Sequence, residues 1–245
     1  MIAVHQRREQ RHSERAEQIA ARALEIVAEE GIDALTLGRL ARDLHVVPAA
    51  LYRYFPSKDA LVADLQRRTL AQVHARFAEV LGALGAGDPL ARLWACGQLY
   101  LELPQTNPQG FRLIAQLLAD PRPLVPAEEA SVTAEAVAAF LGEVGQLILQ
   151  ASAAGKLAPG STSDRALSLW ALLQGVAQLG KLSRFDERRF DPQRLGSSAL
   201  GDLLLGWGAP PKAVAELRAS AASDAAPPKT SSAKRASNKK RKVAP

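Results

Sequence analysis

Residues 28–61 read AEEGIDALTLGRLARDLHVVPAALYRYFPSKDAL, and this stretch decides the fold. Apolar residues recur at helical spacing in two short segments, 37–44 and 48–55, and only residues 45–47 separate them. So short a connection allows a sharp turn and little else. The pattern therefore predicts a helix-turn-helix over 37–56, in which 48–55 is the second helix.

The second helix has one face suited to a protein core and one suited to DNA. Leu51 and Phe55 lie four residues apart and are expected to be buried. Ala49 and Ala50 keep the leading end slim enough for the major groove, and their methyl groups can contact thymine methyls. The forked guanidinium of Arg53 suits a guanine edge or a phosphate.

Phosphate contacts are expected on both sides of this helix. The Tyr52 and Tyr54 hydroxyls are suitable donors on stiff arms. Lys58 begins the following helix beside Ser57, where a cation and free backbone N–H groups can both face a phosphate. Four basic residues and one acidic residue give residues 36–58 a local charge of +3. A second interpretation stays open, because helix-turn-helix shapes are common and Tyr54 could be an ordinary core residue.

The segment from Arg15 to about Arg68 resembles the DNA-binding domain of the TetR/AcrR family of bacterial transcriptional regulators. The residues that carry the resemblance are Ala28, Gly31, Thr36, Leu40, Ala41, Leu44, Val46, Tyr52, Phe55, Lys58 and Leu61. The resemblance implies an all-helical homodimer whose larger C-terminal domain binds an effector. The segment departs from the family at His45, where Gly is usual, and at Val47, where Ser or Thr often caps the helix.

The residues expected to contact DNA combine both lines of reasoning. They are Thr36, Arg39, Val47, Pro48, Ala49, Ala50, Tyr52, Arg53, Tyr54 and Lys58. Because Val47 cannot cap a helix, Pro48 in the first turn must organise its start alone. His45 must adopt a conformation that disfavours most side chains, which His tolerates better than most.

Helical periodicity continues along the rest of the chain, and no convincing strand pattern appears. The predicted helices span 13–30, 37–44, 48–55, 58–83, 88–103, 108–119, 126–154, 164–183, 192–207 and 210–219. Expected N-terminal caps are Thr36, Ser57, Asp88, Asn107, Ser163 and Asp191. Gly31 is expected to end the first helix with a left-handed residue.

The predicted fold is all-α with an N-terminal three-helix DNA-binding domain. Its parts are an N-terminal arm over 1–12, the helix-turn-helix domain over 13–60, an effector-binding and dimerisation domain over 61–220, and a disordered Lys-rich tail over 221–245. The net charge is +6, but seven Lys and Arg follow Asp224 without an acid, which leaves −1 for the first 224 residues. The tail is therefore either a basic arm that attracts DNA or a solvated passenger.

Composition argues against an enzyme. The only cysteine is Cys96, the four histidines are scattered, and no defensible catalytic motif, metal site or cofactor site appears in residues 61–219. Cys96 sits in a helical apolar pattern and is expected to be a small buried residue, with a redox sensor as the alternative. A binding pocket is the better expectation for this region.

Isolated polar and aromatic groups interrupt the apolar helix faces between 88 and 183. This mixture suits a mostly apolar ligand fixed by a few amide hydrogen bonds, although plain core or surface remains the alternative for each residue. The candidate residues are Trp94, Gln98, Tyr100, Phe111, Gln116, Gln146, Gln150, Trp170 and Gln174. The resemblance implies that helices 164–183 and 192–207 form the dimer interface. Small residues there would allow close approach, although they could equally reflect a composition biased toward Ala and Gly; they are Gly175, Gly180, Gly196, Ser197 and Gly201.

The sequence also bears on location. Residues 1–15 are polar and show no apolar region of a signal peptide, and the longest apolar stretch, between Arg165 and Lys181, is too short to span a bilayer. These features predict a soluble intracellular protein, and the resemblance implies that its location is the bacterial cytoplasm. We therefore expect a ligand-responsive, dimeric repressor of a palindromic operator, with a nucleoid-type DNA-coating protein and a helical-bundle enzyme as rivals.

Overall fold

The computed structural model describes residues 2–119 and 127–224, which are helical and contain no strand. Ten α-helices follow one another along these ranges. They are α1 Ile2–Glu30, α2 Leu37–Asp43, α3 Pro48–Leu51, α4 Lys58–Leu84, α5 Pro89–Thr106, α6 Pro108–Ala119, α7 Ala127–Ala153, α8 Thr162–Leu179, α9 Pro192–Gly206 and α10 Pro211–Asp224. Short 3-10 segments, Ile32–Ala34 and Gly180–Arg184, follow α1 and α8. The all-α prediction is confirmed.

The first helix is longer than predicted. It begins at Ile2 rather than at position 13, so the segment expected to be an arm continues α1. Residues 2–12 offer no apolar periodicity, which is why the pattern missed them. They contain neither Gly nor Pro, and their Gln, Arg and Glu residues favour a helix.

The second helix of the helix-turn-helix, the expected recognition helix over 48–55, is shorter than predicted. The α-helix α3 ends at Leu51, and Tyr52–Tyr54 form a turn closed by the bond from the Tyr54 N–H to the Leu51 carbonyl, 2.9 Å long. The turn keeps the helical path, because the Phe55 N–H also bonds the Leu51 carbonyl at 2.9 Å. Residues 52–54 therefore continue the surface of α3 as a turn.

Side-chain caps start most of these helices where they were expected. The side chains of Thr36, Ser57, Asp88, Asn107 and Asp191 each accept a backbone N–H of the first turn. Ser163 does not cap α8. Ser161 does so by accepting the Asp164 N–H, because α8 begins two residues earlier than predicted, at Thr162.

Two hydrophobic cores organise the described residues. The first holds the apolar faces of α1 and α2 together with Leu51, Phe55 and the start of α4, and it also receives Leu113 from α6. The second, larger core is built by α4–α10, with Phe111 as the buried contribution of α6. Helix α4 enters both cores, so the predicted domain boundary at 60 and 61 falls inside a continuous helix.

Among the described residues, one stretch is long and apolar enough to cross a membrane by length and composition. It is Ala134–Ala153 in α7, not the predicted longest stretch in α8. Val144, Leu147, Ile148 and Ala151 of this stretch are buried in the larger core, as in a core helix of a bundle.

The C-terminal helix also extends past its predicted end. Helix α10 runs to Asp224, so residues 221–224 are helical rather than part of a disordered tail. The rest of that tail, 225–245, lies outside the described residues.

Candidate DNA-binding surface and effector cavity

The turn between α2 and α3 is a Schellman motif, in which two backbone bonds close the end of a helix. The Val46 N–H bonds the Ala41 carbonyl at 2.9 Å, and the His45 N–H bonds the Arg42 carbonyl at 3.1 Å. His45 occupies the left-handed position with φ 54°, the only positive φ of a non-glycine residue in the described part of the chain. The strained turn that was expected at His45 is therefore present.

The buried side of the motif sets the exposed side. Leu51 and Phe55 are buried in the smaller core, as predicted. Their burial turns the opposite surface of α3 outward, where Val47 is 67% and Tyr52 is 55% exposed. Pro48, Ala49 and Arg53 are also exposed, and Ala50 is half-buried. Val47 makes no side-chain cap, so Pro48 alone fixes the first turn.

Three of the residues predicted to contact DNA form contacts with other residues of this protein. The Tyr54 ring is half-buried and stacks on His12 with centroids 4.5 Å apart. Arg39 forms a two-point ion pair with Glu30. The Lys58 ammonium donates to the Ile32 carbonyl at 2.8 Å, so it ties α4 to the segment after α1. Thr36 is exposed, with its hydroxyl oxygen accepting the Arg39 N–H.

An ion-pair network holds α1 against α2 behind this surface. Arg22 donates to Asp43 at 2.7 and 3.0 Å and to Glu25 at 2.8 Å. The hydrogen bond from Arg22 lowers the pKa of Asp43 below 3.8, and the bond from Arg39 lowers the pKa of Glu30 below 4.5. Arg22 and Arg39 are thus paired with Asp43 and Glu30 within the protein. In the described segment 36–58, the exposed cations are Arg42 and Arg53.

A largely apolar cavity of about 350 Å³ lies in the body of the protein. Helices α4 to α8 all contribute to its walls, through Gln66, Arg67, Leu70, Ala71, Val73, His74, Tyr100, Ile114, Ala136, Val137, Ala139, Phe140, Leu141 and Trp170. A volume of this size suits a small organic molecule.

Aromatic polar groups form one wall of this cavity. The Trp170 N–H donates to the Tyr100 hydroxyl at 2.9 Å, and that hydroxyl donates to the Gln174 carbonyl oxygen at 2.5 Å. Burial raises the pKa of Tyr100 to about 12, so its hydroxyl stays neutral. Three of the predicted pocket residues, which belong to α5 and α8, therefore meet at one point.

Two ionisable side chains of α4, Arg67 and His74, line the same cavity and have acidic partners outside its lining. Asp64 accepts hydrogen bonds from both Arg67 and Arg68, with the Arg68 bond 2.5 Å long. The His74 Nε2 atom lies 2.8 Å from a Glu143 carboxylate oxygen. These groups add polar character beside the apolar lining of Leu70, Ala71 and Val73.

Gln174 bonds the Tyr100 hydroxyl but does not line this cavity, and neither do the remaining predicted pocket residues. Phe111 and Gln116 line a second cavity of about 520 Å³ near the end of α8, Trp94 is buried in the larger core, and Gln98 bonds Ser197. Gln146 and Gln150 are exposed on α7. The prediction that these two glutamines line a pocket does not fit the structure. The apolar face of α7, which includes Ile148, packs in the core, so Gln146 and Gln150 lie on the exposed side of the helix.

Helix α4 contributes cavity residues that the sequence did not predict. Gln66, Arg67 and His74 line the cavity, whereas the sequence pattern predicts only a long helix there. A usable signal existed, because Gln66, Leu70, Val73 and Phe77 recur at helical spacing and put one polar group on an apolar face.

Helix α6 joins the cavity region to the DNA-binding domain. The Arg112 guanidinium donates to the Ala28 carbonyl at 2.8 Å, and the Gln116 amide donates to the Val27 carbonyl at 3.4 Å. Both carbonyls belong to the last turn of α1, where a cation also complements the helix dipole. Leu113, between these two residues, is fully buried in the smaller core.

Most of the glycines expected at a dimer interface instead allow close packing between helices of the same protomer. A Cβ at Gly196 would overlap a Leu101 methyl carbon, and one at Gly201 would overlap the Arg218 side chain. Gly180 packs on Pro192. Gly175 alone of the four faces open space, on the helix where Leu167 and Leu179 are nearly half exposed.

Cys96 is buried in the larger core, and burial raises the pKa of its thiol to about 12. This placement favours the predicted role of a small core residue, because a reactive cysteine needs an accessible thiolate. Within the described ranges, no three His, Cys, Asp or Glu side chains are grouped closely enough to hold a metal ion.

Comparisons with known proteins agree with this architecture. Residues 19–65 match the family model "Bacterial regulatory proteins, tetR family". No match was found among curated proteins.

Solved structures similar to the chain include regulators with and without ligands. A bacterial regulatory protein of the tetR family from Rhodococcus RHA1 is 20% identical, with a TM-score of 0.64 over 80% of this chain and 97% of that one. AibR, in complex with isovaleryl coenzyme A and operator DNA, is 17% identical, with a TM-score of 0.56 over 67% and 86%. A Saccharomonospora viridis protein, described as a transcriptional regulator in complex with choline, is 19% identical, with a TM-score of 0.62 over 76% and 94%.

These structures share the fold of most of the chain, and the family model matches the segment that holds the helix-turn-helix. The match begins at Ile19 and ends at Leu65, both of which are buried in the smaller core. Residues 19–65 are therefore a DNA-binding segment of the type found in bacterial regulatory proteins of the tetR family, and most of the chain shares the fold of the solved regulators.

Proposed function

We propose that this protein is a homodimeric TetR-family repressor that binds a palindromic operator through α3 and the following turn, and that a small, mostly apolar effector releases it. The observation that carries the DNA-binding part is the division of 47–55 into a buried side, Leu51 and Phe55, and an exposed side. The exposed side is slim at Ala49 and carries Tyr52 and Arg53, which suit a groove and its phosphates. Such a protein acts in the bacterial cytoplasm.

The test of DNA binding is selection of genomic fragments by the purified protein, followed by footprinting. We expect protection of one palindrome with two half-sites, each read by one recognition helix of the dimer. Tyr52→Ala/Arg53→Ala should weaken binding to that palindrome by at least about tenfold, because each hydrogen bond to a phosphate or base is worth about 1 kcal/mol or more.

A matched control is available outside the motif. Arg184 lies over the exposed ring of Phe185, so Arg184→Ala/Phe185→Ala removes the same kinds of side chain elsewhere. This control should bind the palindrome normally. Uniform protection along every fragment would instead indicate a DNA-coating protein, and full binding by the Tyr52/Arg53 variant would overturn the proposed surface.

The effector part of the proposal rests on the cavity between α4 and α8. Its apolar lining and its few polar atoms, among them the Tyr100 hydroxyl, suit an apolar ligand oriented by one or two hydrogen bonds. Because α6 contributes Ile114 to this cavity and Leu113 to the DNA-domain core, occupancy can favour one placement of the recognition helices over another.

A cavity-filling variant tests this assignment. Ala136 lines the cavity, whereas Ala138 on the same helix is exposed. A library of acids, alcohols and amines with apolar tails is screened for quenching of tryptophan fluorescence and for release of the palindrome. Ala136→Phe should abolish the response to any hit and Ala138→Phe should retain it. The reverse result would place the effector elsewhere.

A further inference from the structure

We infer that the N-terminal part of α1, ahead of the helix-turn-helix core, is a second DNA-contacting surface that grips phosphates beside the recognition helix through Arg7 and Arg11. This inference rests on the proposed function and adds a surface that lies outside the segment 19–65. Among the residues of α1 whose burial is described, Ile19 is the first that is fully buried, and the helix extends more than four turns ahead of it.

The first observation is the direct contact between this extension and the reading surface. The His12 ring stacks on Tyr54 with centroids 4.5 Å apart and an interplanar angle of 27°. Tyr54 belongs to the turn that follows α3, and Arg53 lies 5.9 Å from the centre of its ring. The extension therefore runs beside the residues proposed to face DNA and does not project away from them.

The second observation is a stripe of arginines along α1. Arg7, Arg11, Arg15 and Arg22 lie at i, i+4, i+8 and i+15, which places them within one face of a helix. The Arg22 end of the stripe faces α2, because Arg22 is bound to Asp43. Helix α2 precedes the recognition helix, so the Arg22 end of the stripe lies on the side of α1 that faces the DNA-binding motif. At the other end, His12, the residue next to Arg11, contacts the turn after α3.

The arginines of this stripe differ in what the protein does with them. Arg22 is part of the α1–α2 ion-pair network, and Arg15 donates to Gln18 at 2.8 Å. Arg7 and Arg11 are exposed and lie beyond the last core residue. They contribute no apolar burial, and one helical turn separates them, about 6 Å along the axis. Exposed cations at this spacing, beside α3 and the turn that follows it, suit a DNA phosphate backbone, which carries a charge about every 3.4 Å on each strand.

Phosphate contacts of this kind carry no base information, so their signature is salt dependence. Each phosphate neutralised adds about 0.9 to the slope of log affinity against log salt. We expect Arg7→Gln/Arg11→Gln to reduce that slope by about 0.9 for each phosphate that is no longer neutralised, both on a duplex selected by the wild-type protein and on a scrambled duplex of equal length. The preferred sequence should not change.

The control variant removes the same charge elsewhere. Arg76 on α4 and Lys212 on α10 are exposed in the body of the protein, and Arg76→Gln/Lys212→Gln changes the net charge by the same amount. Its slope should equal that of the wild type. Equal slopes for both double variants would overturn the inference, as would a change in the preferred sequence with Arg7→Gln/Arg11→Gln.

A second pair of variants tests the contact that places the extension. His12→Ala removes the stacked ring and should weaken binding to both duplexes, while His12→Phe keeps a ring over Tyr54 and should restore it. Full binding by His12→Ala would show that the stack does not place the extension on DNA. If the wild-type protein selects no duplex at all, the proposed function fails and this inference falls with it; if it selects one and Arg7→Gln/Arg11→Gln leaves the slope unchanged, only this inference fails.

Discussion

At the scale of single residues, His45 stands out because it holds a backbone conformation that side chains disfavour. Its φ of 54° lies in the Schellman turn that fixes the angle between α2 and α3. A left-handed conformation costs a non-glycine residue about 1 kcal/mol, and Asn, Asp and His tolerate it better than most. The turn therefore stores a small strain between the two helices of the DNA-binding motif.

Replacing this histidine should relieve the strain. We expect His45→Gly to raise the free energy of unfolding by about 0.5–1 kcal/mol, because glycine adopts positive φ without a steric cost. Urea unfolding followed by circular dichroism measures the change. Val46→Gly is the control at a neighbouring position and should be destabilising, since Val46 is half-buried against the smaller core. Loss of stability in His45→Gly would mean that the imidazole itself supports the turn.

Asp43 links the α1–α2 contact to pH. Hydrogen bonding by Arg22 lowers its pKa in the folded protein, so the carboxylate stabilises the fold above pH 3.8 and loses that effect as pH falls through the lowered pKa. Asp43→Asn should therefore be less stable than the wild type at neutral pH, and the gap should close as pH falls below 3.8. Urea unfolding at several pH values measures it. A gap that stays constant with pH would contradict a charged role for Asp43.

Some of these residue roles could be read from the sequence and others could not. Thr36, Ser57 and Asp191 cap helices as predicted, because capping depends on neighbours within three positions. Tyr54 and Lys58 are predicted phosphate contacts, and in the structure each also contacts a residue far away in the chain, Tyr54 the His12 ring and Lys58 the Ile32 carbonyl. Local sequence carries no record of such partners.

At the scale of elements, the apolar period predicted the segments that pack in a core and missed the start of α1, which lies ahead of the core. Helices α4 to α9 lie close to their predicted bounds, because each carries an apolar face. In the first part of α1, residues 6, 7 and 9–14 are exposed, so no apolar period marks them. The cavity shows the same limit, because a wall such as α4 is recognised only when the partner helices are known.

The crossing of α5 and α9 depends on a missing side chain. Gly196 lets Leu101 approach so closely that a Cβ would overlap its methyl carbon, and Leu101 is fully buried. Gly196→Ala should therefore lower the free energy of unfolding by about 1–3 kcal/mol through overpacking. Gly142→Ala, in the interior of α7 with open space around it, should instead raise it by about 0.5–1 kcal/mol. Thermal unfolding of the two variants tests the contrast, and equal behaviour would contradict the close crossing.

At the scale of the whole molecule, α8 provides the surface on which two copies are proposed to meet. Leu167, Ala171, Gly175 and Leu179 lie four residues apart along its exposed side. Leu204 on α9, in contrast, is fully buried in the protomer core, so a charge there would disrupt folding rather than association. The dimer is therefore best tested on α8.

Two charges on this side of α8 should separate the copies. Leu167→Arg/Leu179→Arg places unpaired cations in the proposed interface, and we expect monomers in light scattering with unchanged helix content. Leu149→Arg is the control, because Leu149 is 50% exposed on α7 rather than α8. It should remain dimeric. A wild-type protein that is already monomeric at micromolar concentration would remove the basis for the dimer.

The burial of Leu113 in the smaller core has a practical consequence for protein engineering. A DNA-binding fragment limited to the family match, residues 19–65, would have a cavity in its core where the Leu113 side chain packs in the full chain. Filling a cavity of that kind is worth about 2–5 kcal/mol, a large share of the stability of a small domain. A hybrid sensor made by grafting this DNA-binding fragment onto another ligand-binding body therefore needs to carry α6 with it, or an equivalent leucine supplied by the new host.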